Sequence, residues 1–233
     1  MNKKYKLGES KAIGGRTMYR VIALRDIPKH NVIEGETGGW IEKEENLSQD
    51  GNAWIADNAM VFGSARIYDG AYVCNDTKIF GWAEIYGHAR VYERAHVFSG
   101  AKAYDYVEVY GSARVTGNSR IYEHAKVYGN AQMCDNSKAY GYAQISGNAL
   151  LRESAHAYND VEVFGLAAIG SDSRIASNDD YIVVGPVTIN GITTVITATA
   201  NSMCHDKVID LDSELYKQTM NLIQFWRMDK IHK

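Results

Sequence analysis

The feature that most restricts this chain is an apolar residue that recurs at every sixth position from Ile55 to Ile175. Twenty-one consecutive hexads keep this phase without an insertion. The positions are Ile55, Val61, Ile67, Val73, Ile79, Ile85, Val91, Val97, Ala103, Val109, Val115, Ile121, Val127, Met133, Ala139, Ile145, Leu151, Ala157, Val163, Ile169 and Ile175. An amphipathic helix repeats every 3.6 residues and a half-buried strand every two, so neither follows this period without drift. The repeat predicts short strands that alternate with tight corners.

A small residue, usually alanine, stands four positions after each apolar residue, as at Ala59 and Ala65. Turn-forming residues, such as Gly63 and Ser64, precede it. Three hexads therefore build one coil of a triangular prism, with the apolar and small residues inside and their neighbours pointing to solvent.

Two hexads exchange the sizes of their inward residues. Ala103 stands where a large residue is expected and Val107 where a small one is, and Ala157 and Val161 repeat the exchange. Such swaps conserve core volume, as a closely packed interior requires. They support the assignment of both positions to the interior.

This motif resembles that of the hexapeptide-repeat proteins, which form a left-handed parallel β-helix. The segment GGWIEKEENLSQDGNAWIADNA, from Gly38 to Ala59, also resembles the opening of the YdcK-like and prophage-encoded hexapeptide proteins. The resemblance implies an all-β dominated fold of about seven coils, and the left-handed sense rests on it alone. It also implies a homo-oligomer, usually a trimer.

Composition changes on both sides of the repeat, and this change predicts three regions. Residues 1–51 are expected to form a small N-terminal β cap, because they contain an alternating stretch followed by a turn-rich one. Residues 52–180 form the β-helix. Residues 181–233 are expected to form a C-terminal α/β capping or oligomerisation segment, with two strand-like runs and a helix from about 212 to 226.

One predicted prism face carries an unbroken column of six tyrosines beside a largely basic column. The tyrosines are Tyr68, Tyr86, Tyr104, Tyr122, Tyr140 and Tyr158, and the basic residues are Arg66, Lys102, Arg120, Lys138 and Arg174, interrupted by Glu84 and His156. Stacked tyrosines could simply stiffen the sheet. They could form a subunit interface, in which aromatic residues are enriched. They could also stack on nucleobases while the basic residues meet phosphate.

Enzyme chemistry has a weaker basis in the sequence. The hexapeptide acyltransferases bind an acyl-CoA between subunits and use a histidine base, and His88 and His124 share one predicted corner two coils apart. Corner positions also vary among ordinary turn residues, which favours solvated turn histidines. Acetyl-CoA is a cofactor only under this reading, and otherwise no cofactor is expected.

Charge and cysteine content exclude other classes. The formal net charge of −3 gives no overall attraction to long nucleic acids, and no apolar run is long enough to cross a membrane. Cys74, Cys134 and Cys204 are too few and too widely spaced for a disulfide framework or a metal site, which predicts free thiols. A cytoplasmic location follows as an expectation.

These observations predict a non-enzymatic, oligomeric ligand-binding protein that offers aromatic and basic faces to a small anionic ligand of the nucleotide type, as in a prophage-type sponge. A CoA-dependent acyltransferase and a structural or adaptor trimer are the alternatives.

Overall fold

The computed structural model describes residues 3–170, 173–177, 181–189, 192–199 and 203–205. Its first two strands, Tyr5–Ile13 (β1) and Arg16–Ala23 (β2), form an antiparallel hairpin. The third strand, Thr37–Ile41 (β3), pairs antiparallel with β2 on one side and parallel with the repeat region on the other. Short 3-10 helices cover Pro28–His30 and Glu44–Asn46.

The hexads form two-residue strands, one per prism side. They are Trp54–Ile55 (β4), Met60–Val61 (β5), Arg66–Ile67 (β6), Tyr72–Val73 (β7), Lys78–Ile79 (β8), Glu84–Ile85 (β9), Arg90–Val91 (β10), His96–Val97 (β11), Lys102–Ala103 (β12), Glu108–Val109 (β13), Arg114–Val115 (β14), Arg120–Ile121 (β15), Lys126–Val127 (β16), Gln132–Met133 (β17), Lys138–Ala139 (β18), Gln144–Ile145 (β19), Leu150–Leu151 (β20), His156–Ala157 (β21), Glu162–Val163 (β22), Ala168–Ile169 (β23) and Arg174–Ile175 (β24). Each pairs in parallel with strands one coil away, for example Lys102 with Arg120. Three parallel walls result, which confirms a β-solenoid of about seven coils.

Corners are closed by residues with left-handed backbone. Along one corner these are Gly87 (φ 67°), Asp105 (φ 62°) and Glu123 (φ 61°). The acidic side chains reach the next coil, where Asp105 Oδ2 accepts a hydrogen bond from Glu123 N at 3.1 Å and Glu123 Oε2 accepts one from Gly141 N at 2.7 Å. Carboxylates at these corners therefore satisfy backbone amides and hold neighbouring coils together.

The predicted inward residues form a continuous core. Ile121, Ala125 and the exchanged pair Ala103 and Val107 are all fully buried. Polar substitutes differ in how they are satisfied: Ser119 Oγ donates to Thr116 O at 2.6 Å, whereas the buried hydroxyl of Thr77 has no hydrogen-bond partner among the described residues. The assignment of both hexad positions to the interior is confirmed.

The N-terminal residues pack on the first coil through buried polar groups. Lys4 Nζ donates to Ala53 O at 2.8 Å, and the Tyr5 hydroxyl donates to Leu47 O at 2.8 Å. Lys4 and Tyr5 are fully buried. The chain therefore attaches this segment to the solenoid, although its bounds and capping role stay predictions.

The two strand-like runs after the repeat form strands Tyr181–Ile189 (β25) and Ile192–Thr199 (β26), which pair antiparallel, and Met203–His205 (β27) joins them. The helix predicted at 212–226 lies outside the described residues, and the handedness of the coil stays a prediction. No helix in the described ranges is long and apolar enough to span a bilayer.

Candidate functional site

The predicted tyrosine column is a regular stack on one wall, which we call the tyrosine ladder (Tyr68, Tyr86, Tyr104, Tyr122, Tyr140 and Tyr158). Successive ring centroids lie 4.8, 4.8, 5.3, 4.9 and 5.2 Å apart, and neighbouring planes differ by at most 8°. The spacing is that of the parallel strands beneath. Every eighteenth side chain therefore falls in register on a common wall, as the sequence predicts.

This stacking determines which aromatic faces are available. Each inner ring has a ladder neighbour on both faces, with 4.8 to 5.3 Å between centroids, which leaves no room for a further ring between them. An inner ring therefore offers only its edge and its hydroxyl. The terminal rings, Tyr68 and Tyr158, are each covered by a ladder tyrosine on one face only. Burial, helped by the charge of Glu84, raises the pKa of Tyr68 to about 12, so its hydroxyl stays protonated at neutral pH.

The basic column lies beside the ladder, but its charges are unequal in effect. Lys102 Nζ forms an ion pair with Glu84 at 2.6 Å, which removes much of its field. Arg66 is exposed, and its guanidinium lies over the Tyr68 ring, 5.8 Å from the ring centroid. Arg120, Lys138 and Arg174 lie on the same wall, in β15, β18 and β24. The residues that the sequence assigns to this column do lie on one wall, and Glu84 is a counter-charge that weakens their positive field.

A cavity of about 550 Å³ opens at the Tyr68 end of the ladder; we call it the ladder-end cavity. Its lining comes from Lys43, Glu44, Glu45, Leu47, Ser48, Gln49, Ser64, Ala65, Arg66, Ile67 and Tyr68. The segment 43–49 occupies the place of a preceding coil, because Leu47 bridges Ile67 in parallel. Ser48 therefore stands where a further ladder tyrosine would be. Sequence analysis missed this contribution, since the segment lies outside the repeat.

Charges at the ladder-end cavity include both signs. Glu44 is paired with Lys3 at 3.2 Å, whereas Glu45, Lys43 and Arg66 make no ion pair among the described residues. The cavity therefore combines an aromatic face that no ladder tyrosine covers with two cationic side chains, two carboxylates and polar groups, and the guanidinium of Arg66 lies over the ring of Tyr68. This arrangement suits a small aromatic ligand that carries an anionic group.

His88 and His124 do share a corner, where they belong to a second aromatic column with Tyr106 and Tyr142. The ring of His88 meets Tyr106 edge-on at 4.8 Å, and His124 stacks between Tyr106 and Tyr142 at 5.2 and 4.9 Å. Lys29 Nζ lies 2.8 Å from His88 Nδ1. An ammonium can only donate, so this contact occupies the Nδ1 lone pair of His88.

The other walls carry shorter stacks. Phe62, Phe80 and Phe98 stack at 5.0 and 4.8 Å, and Tyr92, Tyr110 and Tyr128 stack at 4.9 Å each. Neither reaches the length of the tyrosine ladder.

Cysteine and metal chemistry find little support in the described residues. Cys74 and Cys134 are free thiols, as predicted, and burial raises the pKa of each to about 11. The side chain of Cys204 lies outside the described part. Within the described ranges, no three His, Cys, Asp or Glu side chains converge as ligands for a metal ion.

Comparison with known proteins gives one short similarity. A stretch of 49 residues is 49% identical to the uncharacterized acetyltransferase YdcK of Escherichia coli (strain K12). It covers 21% of this chain and 14% of that protein. No protein-family model matches the chain. The hexad repeat, the parallel solenoid and this match together fit a hexapeptide-repeat β-helix family.

Proposed function

We propose that this solenoid is a non-enzymatic, oligomeric binding protein for a small anionic ligand of the nucleotide type, and that the base of the ligand stacks on Tyr68 in the ladder-end cavity. The observation that carries the proposal is the face of the terminal ring Tyr68 that no ladder tyrosine covers, inside a cavity of about 550 Å³. A nucleobase there would extend the existing stack by one ring.

Stacking supplies the first part of the binding free energy. A base on an aromatic side chain contributes roughly 1 to 3 kcal/mol. Tyr68 is pre-ordered by Tyr86 at 4.8 Å, so little side-chain entropy is lost when the ligand binds. A rigid ring at the end of a rigid column is therefore a favourable stacking partner.

Cations beside the ring supply the second part. Arg66 and Lys43 line the ladder-end cavity without an ion-pair partner in the described ranges, and a phosphate group would give them one. Arg in particular binds phosphate through two parallel hydrogen bonds. Glu45 opposes a highly charged ligand, which favours a monophosphate.

The name of the similar protein makes acyl transfer the alternative for this chain. One of its histidine candidates has a ring nitrogen engaged, because Lys29 Nζ lies 2.8 Å from His88 Nδ1. His124 is stacked between Tyr106 and Tyr142, which covers the ring faces but not the nitrogens at the ring edge. Acetyl-CoA therefore serves as a comparison ligand in the test below.

Isothermal titration of the full chain with AMP, ribose 5-phosphate and acetyl-CoA tests the proposal. AMP is expected to bind, and ribose 5-phosphate, which lacks the base, is expected to bind much more weakly. Tyr68→Ala should weaken AMP binding about 5- to 150-fold, the equivalent of one stacked base.

Tyr158→Ala is the matched control. Like Tyr68→Ala it removes a terminal ring and one stacking contact, here with Tyr140 at 5.2 Å, but at the far end of the ladder. It should bind AMP like the wild type. Equal losses in both variants, or binding of acetyl-CoA alone with turnover, would contradict the proposal.

A further inference from the structure

We propose a second binding site for a phosphate-type oxyanion, in a cleft between the N-terminal segment and one corner of the solenoid. The cleft is lined by Lys29, His30, Asn31, Gly70, Tyr72, His88 and Arg90, and its volume is about 360 Å³. We call it the basic corner cleft. It is separate from the ladder-end cavity, with which it shares no lining residue.

The N-terminal segment is fixed at the corner by a ring contact. The 3-10 helix Pro28–His30 ends at Asn31, whose backbone is left-handed (φ 56°). The ring of His30, the last residue of this helix, stacks on the ring of Tyr72 with 4.7 Å between centroids. This contact holds Lys29 over the corner.

Gly70 makes room for the lysine. The same corner position carries His88, Tyr106, His124 and Tyr142 in the following coils. A Cβ at Gly70 would overlap Lys29 Nζ and would lie 3.2 Å from His88 Nδ1. The absence of a side chain at this one coil therefore allows the ammonium of Lys29 to reach His88.

The charges of the cleft are one-sided. Lys29 and Arg90 form no ion pair among the described residues, and no carboxylate lines the cleft. Asp69 lies next to it in sequence, but its Oδ2 accepts a hydrogen bond from Gly87 N at 3.3 Å. Burial lowers the pKa of Lys29, as expected for a cation that lacks a counter-charge.

The donors of the cleft suit a tetrahedral oxyanion. Lys29 donates one proton to His88 Nδ1 at 2.8 Å and keeps two for a ligand. His88, in its neutral form, then carries its own proton on Nε2, which is a further donor. Arg90 adds a guanidinium fork, the preferred partner of phosphate oxygens.

Titration calorimetry of the full chain with inorganic phosphate at low ionic strength tests this site. Arg90→Gln and Lys29→Gln should each weaken phosphate binding by about tenfold or more, because each removes charge-assisted hydrogen bonds. Gly70→Ala should also weaken it while all charges remain, since the new methyl group displaces Lys29. Arg114→Gln is the matched control, because Arg114 is the first residue of its strand, as Arg90 is, and both residues are exposed. It should leave phosphate binding unchanged.

Phosphate binding that is absent in the wild type, or that falls equally in Arg114→Gln and Arg90→Gln, would overturn the site. Tyr68→Ala separates it from the proposed function, because that variant should lose AMP affinity and keep phosphate affinity. Because the two sites share no lining residue, AMP and phosphate should bind independently to the wild type. Competition between them would place phosphate in the ladder-end cavity and would overturn the second site.

Discussion

At the scale of single residues, His30 is a side chain whose protonation the fold opposes. Burial, together with the positive charge of Lys29, lowers the pKa of His30 from 6.5 to about 4. The unfolded chain therefore takes up a proton between these values while the folded chain does not, so the free energy of unfolding falls as the pH falls through this window.

We expect acidification from pH 7 to pH 4 to cost about 1 to 2 kcal/mol through His30, less than the full shift implies, because the ring is only partly buried. His30→Phe keeps a ring on Tyr72 and cannot ionise. Urea unfolding of both proteins at several pH values isolates the contribution, since all other groups are common to both. If the free energy of unfolding had the same pH dependence in both proteins, the contribution of His30 would be contradicted.

At the scale of the element, the hexad is a packing unit that tolerates a change of residue size when its partner compensates. Ala103 and Val107 are both fully buried, which makes the exchanged hexad a direct test. Ala103→Val should cost about 1 to 3 kcal/mol by overpacking and Val107→Ala a similar amount by leaving a cavity. The double variant, which restores the usual order, should lie within about 1 kcal/mol of the wild type.

Chemical denaturation gives the free energy of unfolding of the wild type, the two single variants and the double variant. The reverse swap in the following hexad, Val109→Ala with Ala113→Val, is the control and should be tolerated for the same reason. Additive losses in the double variant would show that the two positions do not share a volume.

At the scale of the whole molecule, the exposed aromatic rings of one corner offer a test of the predicted self-association. Tyr106 and Tyr142 are 58% and 60% exposed on one corner, and the trimer predicted from the sequence would cover such rings. Light scattering should give the mass of three chains, and Tyr106→Asp with Tyr142→Asp should reduce it to one. Trp82→Asp, at a residue 73% exposed on another corner, should not. A monomeric wild type would contradict the prediction.

Across these scales, the sequence predicts what is periodic and misses what is not. The period of six predicts the walls, the core and the register of the tyrosine ladder, because each residue is placed by its own hexad. The ladder-end cavity and the contact of Lys29 with His88 depend on how residues 29–49 fold onto the first coils. That placement follows from long-range contacts such as Tyr5 with Leu47, for which the local pattern has no signal.

The mutual coverage of the ladder rings has a consequence for stoichiometry. Six tyrosines suggest six stacking sites, yet all five gaps between the rings are already closed, with 4.8 to 5.3 Å between centroids. Of the two terminal rings, Tyr68 is the one that lines the ladder-end cavity, so a titration of the proposed aromatic ligand should saturate at one equivalent per chain. Lengthening the solenoid by duplicating an internal coil would add one tyrosine to the ladder without raising the number of ligands bound per chain.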